Sequence, residues 1–214
     1  MTQIQKQVHE YIERNLIIKN TLEKDLISIR KLARHIAEKI NSDKYDAIIS
    51  AIRRYGKNES KNTYETAIKM VKNTKISTKS DIVSIAIEKN HDAQLILPKL
   101  FEKIDFSKSE VLRIIQAEEA IKIIIDKKNL EKIEKIIPKQ IILKIEKDLA
   151  EINLNLDKEA VNTPGIISVI FSELMINNIN IMEALSCVPE MLIFVKEKDL
   201  LKSYSILFNL VKTK

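Results

Sequence analysis

The sequence is poor in glycine, proline, aromatic residues and cysteine, and each shortage excludes a class of protein. Two glycines and four prolines among 214 residues exclude collagen-like chains, long linkers and glycine-rich phosphate-binding loops. The absence of tryptophan, with only 5% aromatic residues, argues against a carbohydrate groove or a base-stacking platform. The single cysteine, Cys187, can form neither an intrachain disulfide nor a zinc cluster, so nothing indicates an oxidising compartment.

Targeting and membrane signals are also missing. The N-terminus lacks the apolar core of a signal peptide, and no apolar stretch approaches the roughly 20 residues that a membrane span needs. Hydrophobic residues make up 45% of the chain and charged residues 31%, which is enough apolar material for a buried core. We therefore expect a soluble, cytoplasmic globular protein.

Positive charge is concentrated in the N-terminal third. Residues 1–75 carry 16 lysines and arginines against 9 aspartates and glutamates, whereas the rest of the chain carries 20 against 21. A basic module joined to a neutral one suggests nucleic acid as a partner of the first. Ordinary solvated lysines are the alternative, and both interpretations stay open.

Apolar spacing in this basic third predicts helices over 29–40 and 45–55, with Ser28 as the N-cap of the first. The second is predicted to bury Ala47 together with Ile48, Ala51, Ile52 and Tyr55. Two helices joined by a short turn form a helix-turn-helix-like domain, which we assign to residues 1–75.

Basic side chains on these two helices are the candidate DNA contacts, because guanidinium and ammonium groups reach phosphates and guanine edges. They are Arg30, Lys31, Arg34, Lys44, Arg53, Arg54 and Lys57. The turn lacks the usual glycine, and Asp43 and Asp46 lie where DNA would approach. A helical docking or dimerisation module is therefore the alternative.

The remainder of the chain repeats one pattern of strand, helix, strand, strand, helix. In the first copy, strands are predicted at 82–87, 111–117 and 120–125, and helices at 93–104 and 129–137. In the second, strand segments are predicted at 141–145, 150–156, 179–188 and 191–196, and helices at 164–177 and 200–211. This order predicts two ferredoxin-like βαββαβ units, 76–147 and 148–214, each with one sheet face under helices and the other face accessible.

The second copy resembles an ACT domain, a small amino-acid-sensing module of enzymes and regulators of amino-acid metabolism. The resemblance rests on Pro164-Gly165-Ile166 at the start of the first helix and on Ile179-Asn180-Ile181 entering the second strand. It implies a ligand pocket where the helix-starting loop meets the second strand of a neighbouring ACT domain. The implied pocket residues are Asn162, Thr163, Gly165, Ile166, Asn178, Ile179 and Asn180. The family usually has glycine where this chain has Asn178.

The whole chain is similar to an archaeal group of predicted amino-acid-metabolism regulators that join a helix-turn-helix-like module to ACT-type repeats. We therefore interpret the fold as α+β, with an all-α N-terminal domain followed by two ACT-type units. The first unit is a degenerate copy, because its loop at residues 89–92 has no glycine. Exposed sheet edges predict a homodimer.

No pattern in the sequence indicates catalysis. His9, His35 and His91 do not stand at the spacing of a zinc site, and no nucleophile elbow, Walker or dinucleotide motif is present. The adjacent Glu118-Glu119 is typical of a solvated hairpin turn, and Cys187 is predicted to be a buried, inert thiol. We expect a protein that is not an enzyme and that needs no cofactor or metal.

These observations predict an allosteric, non-catalytic regulator. Its ACT units would sense a small molecule, an amino acid in view of the resemblance, and would modulate binding of DNA or of a partner by the N-terminal domain. The alternative is a stand-alone regulatory or scaffold subunit that docks on an enzyme of amino-acid metabolism without binding a ligand. A third possibility is sequence-independent RNA binding by the same basic face.

Overall fold

The computed structural model describes residues 2–55, 63–72 and 74–212, and the chain divides into an N-terminal unit, residues 1–64, and a C-terminal unit, residues 65–214. The helices before the sheet are α1 (Gln3–Glu13), α2 (Leu16–Glu23), α3 (Ile29–Lys39), α4 (Tyr45–Tyr55) and α5 (Thr63–Val71). The predicted helices at 29–40 and 45–55 are confirmed by α3 and α4. The predicted N-cap is confirmed as well, because the Ser28 hydroxyl accepts a hydrogen bond from the Lys31 amide.

The core of the N-terminal unit lies where α1, α3 and α4 bring one apolar face each together. Ile12, Ile36, Ile48 and Ile52 are fully buried there. The prediction that Ala47 is buried is wrong: this residue is exposed. It lies about 100° around the helix from Ile48, outside the stripe that packs inward.

The turn between α3 and α4 contains a left-handed residue. Asn41 adopts φ 48°, a conformation that asparagine tolerates better than other residues with a Cβ atom. Asparagine therefore takes the backbone position for which a glycine is usual, and the missing glycine does not prevent the turn.

The C-terminal unit contains the repeated pattern. The first repeat consists of β1 (Lys75–Glu88), α6 (His91–Lys103), β2 (Leu112–Gln116), β3 (Ala120–Asp126) and α7 (Leu130–Glu134). The second repeat consists of β4 (Ile142–Asn155), α8 (Lys158–Val161), α9 (Ile166–Ile176), β5 (Ile181–Cys187), β6 (Glu190–Lys196) and α10 (Leu200–Lys212). The helix α6 continues through Pro98, which is exposed, so that water can bond the carbonyl left without an N–H partner.

The first strand of each repeat is longer than predicted. β1 begins at Lys75 rather than at residue 82, and β4 is one strand rather than the two segments 141–145 and 150–156. Asp81 and Asp148 occupy matching places in the two strands with φ 55° and φ 57°. Each lies where the pairing register of β1 and β4 shifts, and such a bulge interrupts the alternation of side chains by which strands are predicted.

All six strands form one antiparallel sheet with the order β2-β3-β1-β4-β6-β5. Two separate four-stranded sheets were expected from the sequence. Instead, β1 and β4 pair with each other around Ile82 and Leu149, so each fills the fourth-strand position of the other repeat. The division of the chain into three domains at residues 75 and 147 stays a prediction.

One face of the sheet packs against helices, and the opposite face is concave. Val83 and Ile85 of β1 and Ile123 of β3 pack with Leu100 of α6 and Ile133 of α7. The opposite face carries a second apolar cluster that includes residues of both outermost strands. Its members are Ile82, Val111, Ile124, Leu149, Leu192 and Phe194, with Ile115, Met182 and Leu185 packed against them.

Ion pairs show how strongly the sheet curls. Lys122 of β3 contacts Glu183 of β5, although these strands are four places apart in the sheet. In a flat sheet that separation is about 19 Å, because neighbouring strands lie roughly 4.8 Å apart. The curl buries the centre of the concave face, so the prediction that this face is accessible is wrong there. No helix among residues 2–55, 63–72 and 74–212 is long and apolar enough to cross a membrane.

Candidate ligand-binding site

The first turn of α9 is not capped by a side chain. Gly165 occupies the N-cap position with φ 92°, and no side chain of the described residues accepts a hydrogen bond there. A left-handed conformation of this kind favours glycine, which has no Cβ atom. The Val169 amide donates to the Gly165 carbonyl at 2.9 Å, whereas the amides of Ile166, Ile167 and Ser168 precede the first intrahelical bond and are available as donors. The positive end of the helix dipole favours an anion there.

A cavity of about 270 Å³ opens at this helix start. Its walls come from the loop before α9, from the first turn of α9 and from the hairpin that joins β5 to β6. They are formed by Leu156, Ala160, Thr163, Pro164, Gly165, Ile166, Ile167, Ser168, Ser186, Val188, Pro189, Glu190 and Met191. The structure thus brings three of the predicted pocket residues, Thr163, Gly165 and Ile166, to one cavity.

The other four predicted pocket residues lie elsewhere. Asn162 follows α8 and does not line the cavity. Asn178, Ile179 and Asn180 follow the far end of α9, about 16 Å from Gly165 for a helix of 11 residues. One chain therefore cannot close a single pocket around both groups. The resemblance assigns the second group to a neighbouring domain, and that assignment stays a prediction.

The backbone at the far end of α9 suits the residues present. Asn178 adopts φ 57°, the left-handed conformation for which the family usually has glycine. The Ile179 amide donates to the Leu174 carbonyl at 3.0 Å, which ends the helix. Asn180 is exposed, and its Nδ2 lies 3.2 Å from the sulfur of Met182.

Glu190 is a functional candidate that the sequence analysis did not find. It lines the cavity, and its Oε1 accepts a hydrogen bond of 3.0 Å from Nδ2 of Asn153 on β4. Glu190 makes no ion pair with any residue that the structure describes. A residue on one hairpin and an amide on another strand share no sequence pattern, so only the folded chain brings them together.

A second polar group lies on the concave face near Asn153. Glu151 of β4 is only 1% exposed, and its Oε1 lies 3.4 Å from Nη2 of Arg113 on β2. Burial raises the pKa of the Glu151 carboxyl, and the nearby Arg113 guanidinium lowers it by less. This ion pair links an outer strand of the first repeat to the second repeat.

The corresponding end of the first repeat is closed by its own side chains. Asn90 caps α6 by accepting a hydrogen bond from the Ala93 amide at 3.1 Å, and Nζ of Lys89 donates to the Ala117 carbonyl at 3.2 Å. Only two residues separate β1 from α6, whereas ten separate β4 from α9. The longer connection carries Gly165.

The predicted DNA contacts are placed on the surface of the N-terminal unit. Arg30, Lys31, Arg34, Lys44, Arg53 and Arg54 are exposed, and none makes an ion pair within the described chain. Arg30 and Arg34 are one turn apart on α3, while Arg53 and Arg54 lie in the last turn of α4. Lys57 lies outside the described residues.

The histidines are dispersed and the thiol is accessible. Nε2 of His35 lies 2.8 Å from the Tyr11 hydroxyl, and Nε2 of His9 lies 3.2 Å from the Ala51 carbonyl. Among the residues described, no three histidine, cysteine, aspartate or glutamate side chains are placed to hold a metal ion. Cys187 is exposed, so the prediction of a buried thiol is wrong. It ends β5, an outermost strand whose last residue meets the hairpin turn.

Solved structures with a similar fold include aspartate kinases and their regulatory subunits. The regulatory subunit of aspartate kinase from Thermus thermophilus is 11% identical with a TM-score of 0.54, over 66% of this chain and 99% of that chain. The Clostridium acetobutylicum aspartate kinase is 21% identical with a TM-score of 0.53, over 64% of this chain and 34% of that chain. The chain thus spans about a third of the Clostridium enzyme. No protein-family model and no curated protein sequence matches it.

The regulatory subunit of aspartate kinase from Thermus flavus is similar as well, with 12% identity and a TM-score of 0.52 over 63% of this chain and 95% of that chain. At these identities the likeness concerns the fold. The chain has the mixed α+β architecture of the ACT type, with a helical region at its N-terminus and a curled antiparallel sheet.

Proposed function

We propose that this protein is a non-catalytic regulator that binds a small amino acid in the cavity beside α9. The observation that carries the proposal is the uncapped start of α9 at Gly165, which opens directly onto a cavity of about 270 Å³. A side-chain cap would occupy at least one of the amides that are otherwise available to a ligand.

The cavity suits the carboxylate and side chain of an amino acid. The amides after Gly165 are donors for a carboxylate, and the helix dipole stabilises its negative charge. Leu156, Ala160 and Met191 form an apolar wall against which a short aliphatic side chain would pack. The volume lies just below the roughly 300–1,000 Å³ of cavities that hold drug-sized molecules, as a smaller ligand requires.

A second copy of the chain would complete the pocket. In the ACT family the second strand of a neighbouring domain contributes to the ligand site, and Asn178, Ile179 and Asn180 are too far from Gly165 to act within one chain. We therefore propose a homodimer in which these residues approach the cavity of the partner copy.

The N-terminal unit would transmit the response to DNA. Six exposed basic side chains without ion pairs in the described chain, on or beside α3 and α4, form the proposed helix-turn-helix-like surface. A ligand that binds one packing of the C-terminal unit more tightly than another would shift the population that binds DNA.

Docking on an enzyme is the second candidate role. The Thermus thermophilus regulatory subunit is a separate chain of the aspartate kinase, and the fold shared with this protein covers 99% of it. A fold that serves elsewhere as a separate regulatory subunit supports a role in which this protein docks on a partner enzyme.

The test of ligand binding is a thermal-shift screen against the twenty protein amino acids at millimolar concentration. A ligand at 100 times its dissociation constant adds about 2.7 kcal/mol to the free energy of unfolding, which raises the midpoint measurably. The variant Gly165→Val should lose this response, because a β-branched residue is strained at φ 92° and adds a side chain at a position that lines the cavity.

Ser109→Val is the matched control. Ser109 has φ 56°, so valine there imposes a comparable backbone strain outside the cavity, and the ligand response should persist. A flat screen with the wild-type protein, or an unchanged response in Gly165→Val, would exclude the proposed site.

DNA binding is tested by fluorescence anisotropy of duplex DNA over a range of salt concentrations. Affinity should fall steeply with salt, and Arg53→Ala with Arg54→Ala should reduce the log–log slope by about 0.9 for each phosphate that the protein no longer neutralises. Lys198→Ala, a charge removal in the C-terminal unit, should leave the slope unchanged. If duplex DNA is not bound while a partner enzyme is, the docking role is favoured.

A further inference from the structure

The two repeats match residue by residue at the end of the sheet where the cavity lies. In the first repeat the Lys89 amide donates to the Glu119 carbonyl at 2.9 Å. In the second repeat the Leu156 amide donates to the Pro189 carbonyl at the same distance. Both bonds join the residue after the first strand to the turn between the second and third strands. Leu156 is therefore the structural counterpart of Lys89.

The hairpins around these turns correspond as well. In the first repeat the Ala117 amide donates to the Ala120 carbonyl at 2.8 Å, and these two residues flank the turn. In the second repeat Cys187 is paired with Glu190 across the same place. Cys187 is therefore the counterpart of Ala117.

The first repeat places an ammonium group of its own chain against its hairpin. Nζ of Lys89 donates to the Ala117 carbonyl at 3.2 Å. In the second repeat the position of this lysine is taken by Leu156, whose side chain has no hydrogen-bond donor. The Cys187 carbonyl therefore receives no hydrogen bond of this kind from position 156.

The main chain at Cys187 borders the ligand cavity. Ser186 and Val188, the residues on either side of it, both line the cavity. Leu156 lines the same cavity together with the first turn of α9. The place that corresponds to the lysine ammonium thus lies on the side of the sheet where the uncapped amides of α9 are. A main-chain carbonyl at such a place is stabilised by a ligand that brings a donor to it.

We infer that the ammonium group of the ligand donates a hydrogen bond to the Cys187 carbonyl, at the place that the Lys89 ammonium takes in the first repeat. This inference rests on the proposed ligand site and specifies its chemistry. The cavity takes a zwitterion, with its carboxylate at the first amides of α9 and its ammonium at the hairpin. Acids of the same shape without an amino group lack the second contact and bind more weakly.

The first experiment observes the carbonyl directly by nuclear magnetic resonance. Cys187 is the single cysteine of the chain, so the full-length protein with ¹³C at the cysteine carbonyl gives one labelled resonance. A hydrogen bond to this oxygen moves the resonance to lower field. Each amino acid that raises the unfolding midpoint should cause this shift, whereas the acid with hydrogen in place of the amino group should not. Leucine is paired with 4-methylpentanoate, and alanine with propanoate.

Affinities for the same pairs are measured on the wild-type protein. The amino acid should bind about tenfold more tightly or better, the ratio expected for one hydrogen bond that involves a charged group. If both members of a pair bind equally, or if they shift the carbonyl resonance equally, the assignment of the ammonium is wrong while the ligand site stands. If neither member of any pair binds, the ligand site itself is excluded.

The second experiment gives the second repeat the ammonium of the first. In Leu156→Lys the new ammonium should shift the cysteine carbonyl resonance to lower field without any ligand. It should also reverse the preference among ligands, because it repels the ammonium of an amino acid. The deaminated acid still meets the amides of α9 and should keep its affinity within about threefold. Leu156→Met, the matched control, adds no charge and should keep the wild-type preference.

The outcomes for this variant are distinct. If Leu156→Lys loses the amino acid and the deaminated acid alike, the lysine only fills the cavity, and the shared place of the two ammonium groups is refuted. If Leu156→Lys does not fold, the carbonyl resonance and the paired affinities of the wild-type protein decide the inference alone.

Discussion

The ion pair between Arg113 and Glu151 provides a sharp prediction about how the two repeats are held together. Arg113 lies on β2 of the first repeat and Glu151 on β4 of the second, with 3.4 Å between Nη2 and Oε1. The Glu151 side chain is 2% exposed and the Arg113 side chain 30%. Oε2 of Glu151 and Nε of Arg113 are buried without a hydrogen bond in the described chain, so each charge depends on the other.

Replacing Arg113 with methionine leaves the Glu151 carboxylate buried without its hydrogen-bonded cation, and Lys79 remains as the nearby positive charge. Breaking a buried pair in this way costs about 3–5 kcal/mol. Because Arg113 is partly exposed and makes a single contact, we expect a loss near the lower end of that range, about 3 kcal/mol at pH 8.

The loss of stability in Arg113→Met should depend on pH, and the direction of this dependence follows from the pKa of Glu151. Burial raises this pKa above its usual value, so the folded protein binds a proton here more readily than the unfolded chain does. The stability that this proton provides is present below the unfolded pKa and is lost as pH rises through the folded pKa. Removing Arg113 raises the folded pKa further. The loss caused by Arg113→Met should therefore shrink toward pH 5, by up to about 1.4 kcal/mol per pH unit.

Urea unfolding from pH 5 to pH 8, with amide hydrogen exchange of peptides from β1 and β4, measures this loss in the C-terminal unit. Adding Glu151→Gln to Arg113→Met should recover stability at pH 8, since it removes the uncompensated charge. Lys122→Met is the matched control: it breaks another ion pair on the concave face, whose Glu183 side chain is 21% exposed, and should cost about 1 kcal/mol or less. An equal loss for Arg113→Met at pH 5 and pH 8, or a double variant as unstable at pH 8 as the single one, would refute the reasoning.

Two further predictions concern the same unit. The hydrogen bond from the Asp105 amide, and next the hydrogen bond from Lys128, lower the pKa of Glu110 to about 2. The stability that this carboxylate provides is therefore present above the unfolded pKa of about 4.5 and is lost as pH falls toward 2. In Glu110→Gln, the unfolding midpoint should therefore change less between pH 5 and pH 3 than it does in the wild-type protein. An equal change in the two proteins would contradict the assignment. Ser186 lines the cavity whereas the single cysteine, Cys187, does not, so in a variant with Ser186→Cys and Cys187→Ser a bound amino acid should slow the reaction of the thiol with a thiol reagent in a stopped-flow assay. An unchanged rate at saturating ligand would argue against binding in this cavity.

The sequence predicts the elements where one local signal decides the structure. The capping hydroxyl of Ser28 and the apolar stripe behind it placed the start and the face of α3. In the same way, the dipeptide Pro164-Gly165 located the start of α9. A cap, a proline and a glycine each act within one turn of backbone, and for that reason a linear pattern carries them.

The features that the sequence does not predict depend on contacts between distant segments. A bulge at Asp81 or Asp148 shifts the register of a strand, and no alternation rule anticipates an aspartate with positive φ inside a strand. The pairing of β1 with β4 is also invisible, because the order of strands along the chain does not state which strand fills the fourth place of the sheet. Glu190 and Asn153 become neighbours only through the pairing of β4 with β6.

The contrast between the two repeats explains why one end of the sheet is open. Their backbones correspond at the bulges and at the turn bonds of Lys89 and Leu156, so the path of the strands cannot account for the cavity. The difference comes from a longer connection before α9, from a glycine where the first repeat has the capping Asn90, and from a leucine where it has lysine. The glycine removes the side-chain acceptor of an amide at the helix start, and the leucine removes the donor to a carbonyl at the turn. A ligand that restores both must carry an acceptor and a donor, as the carboxylate and ammonium groups of the proposed amino acid do.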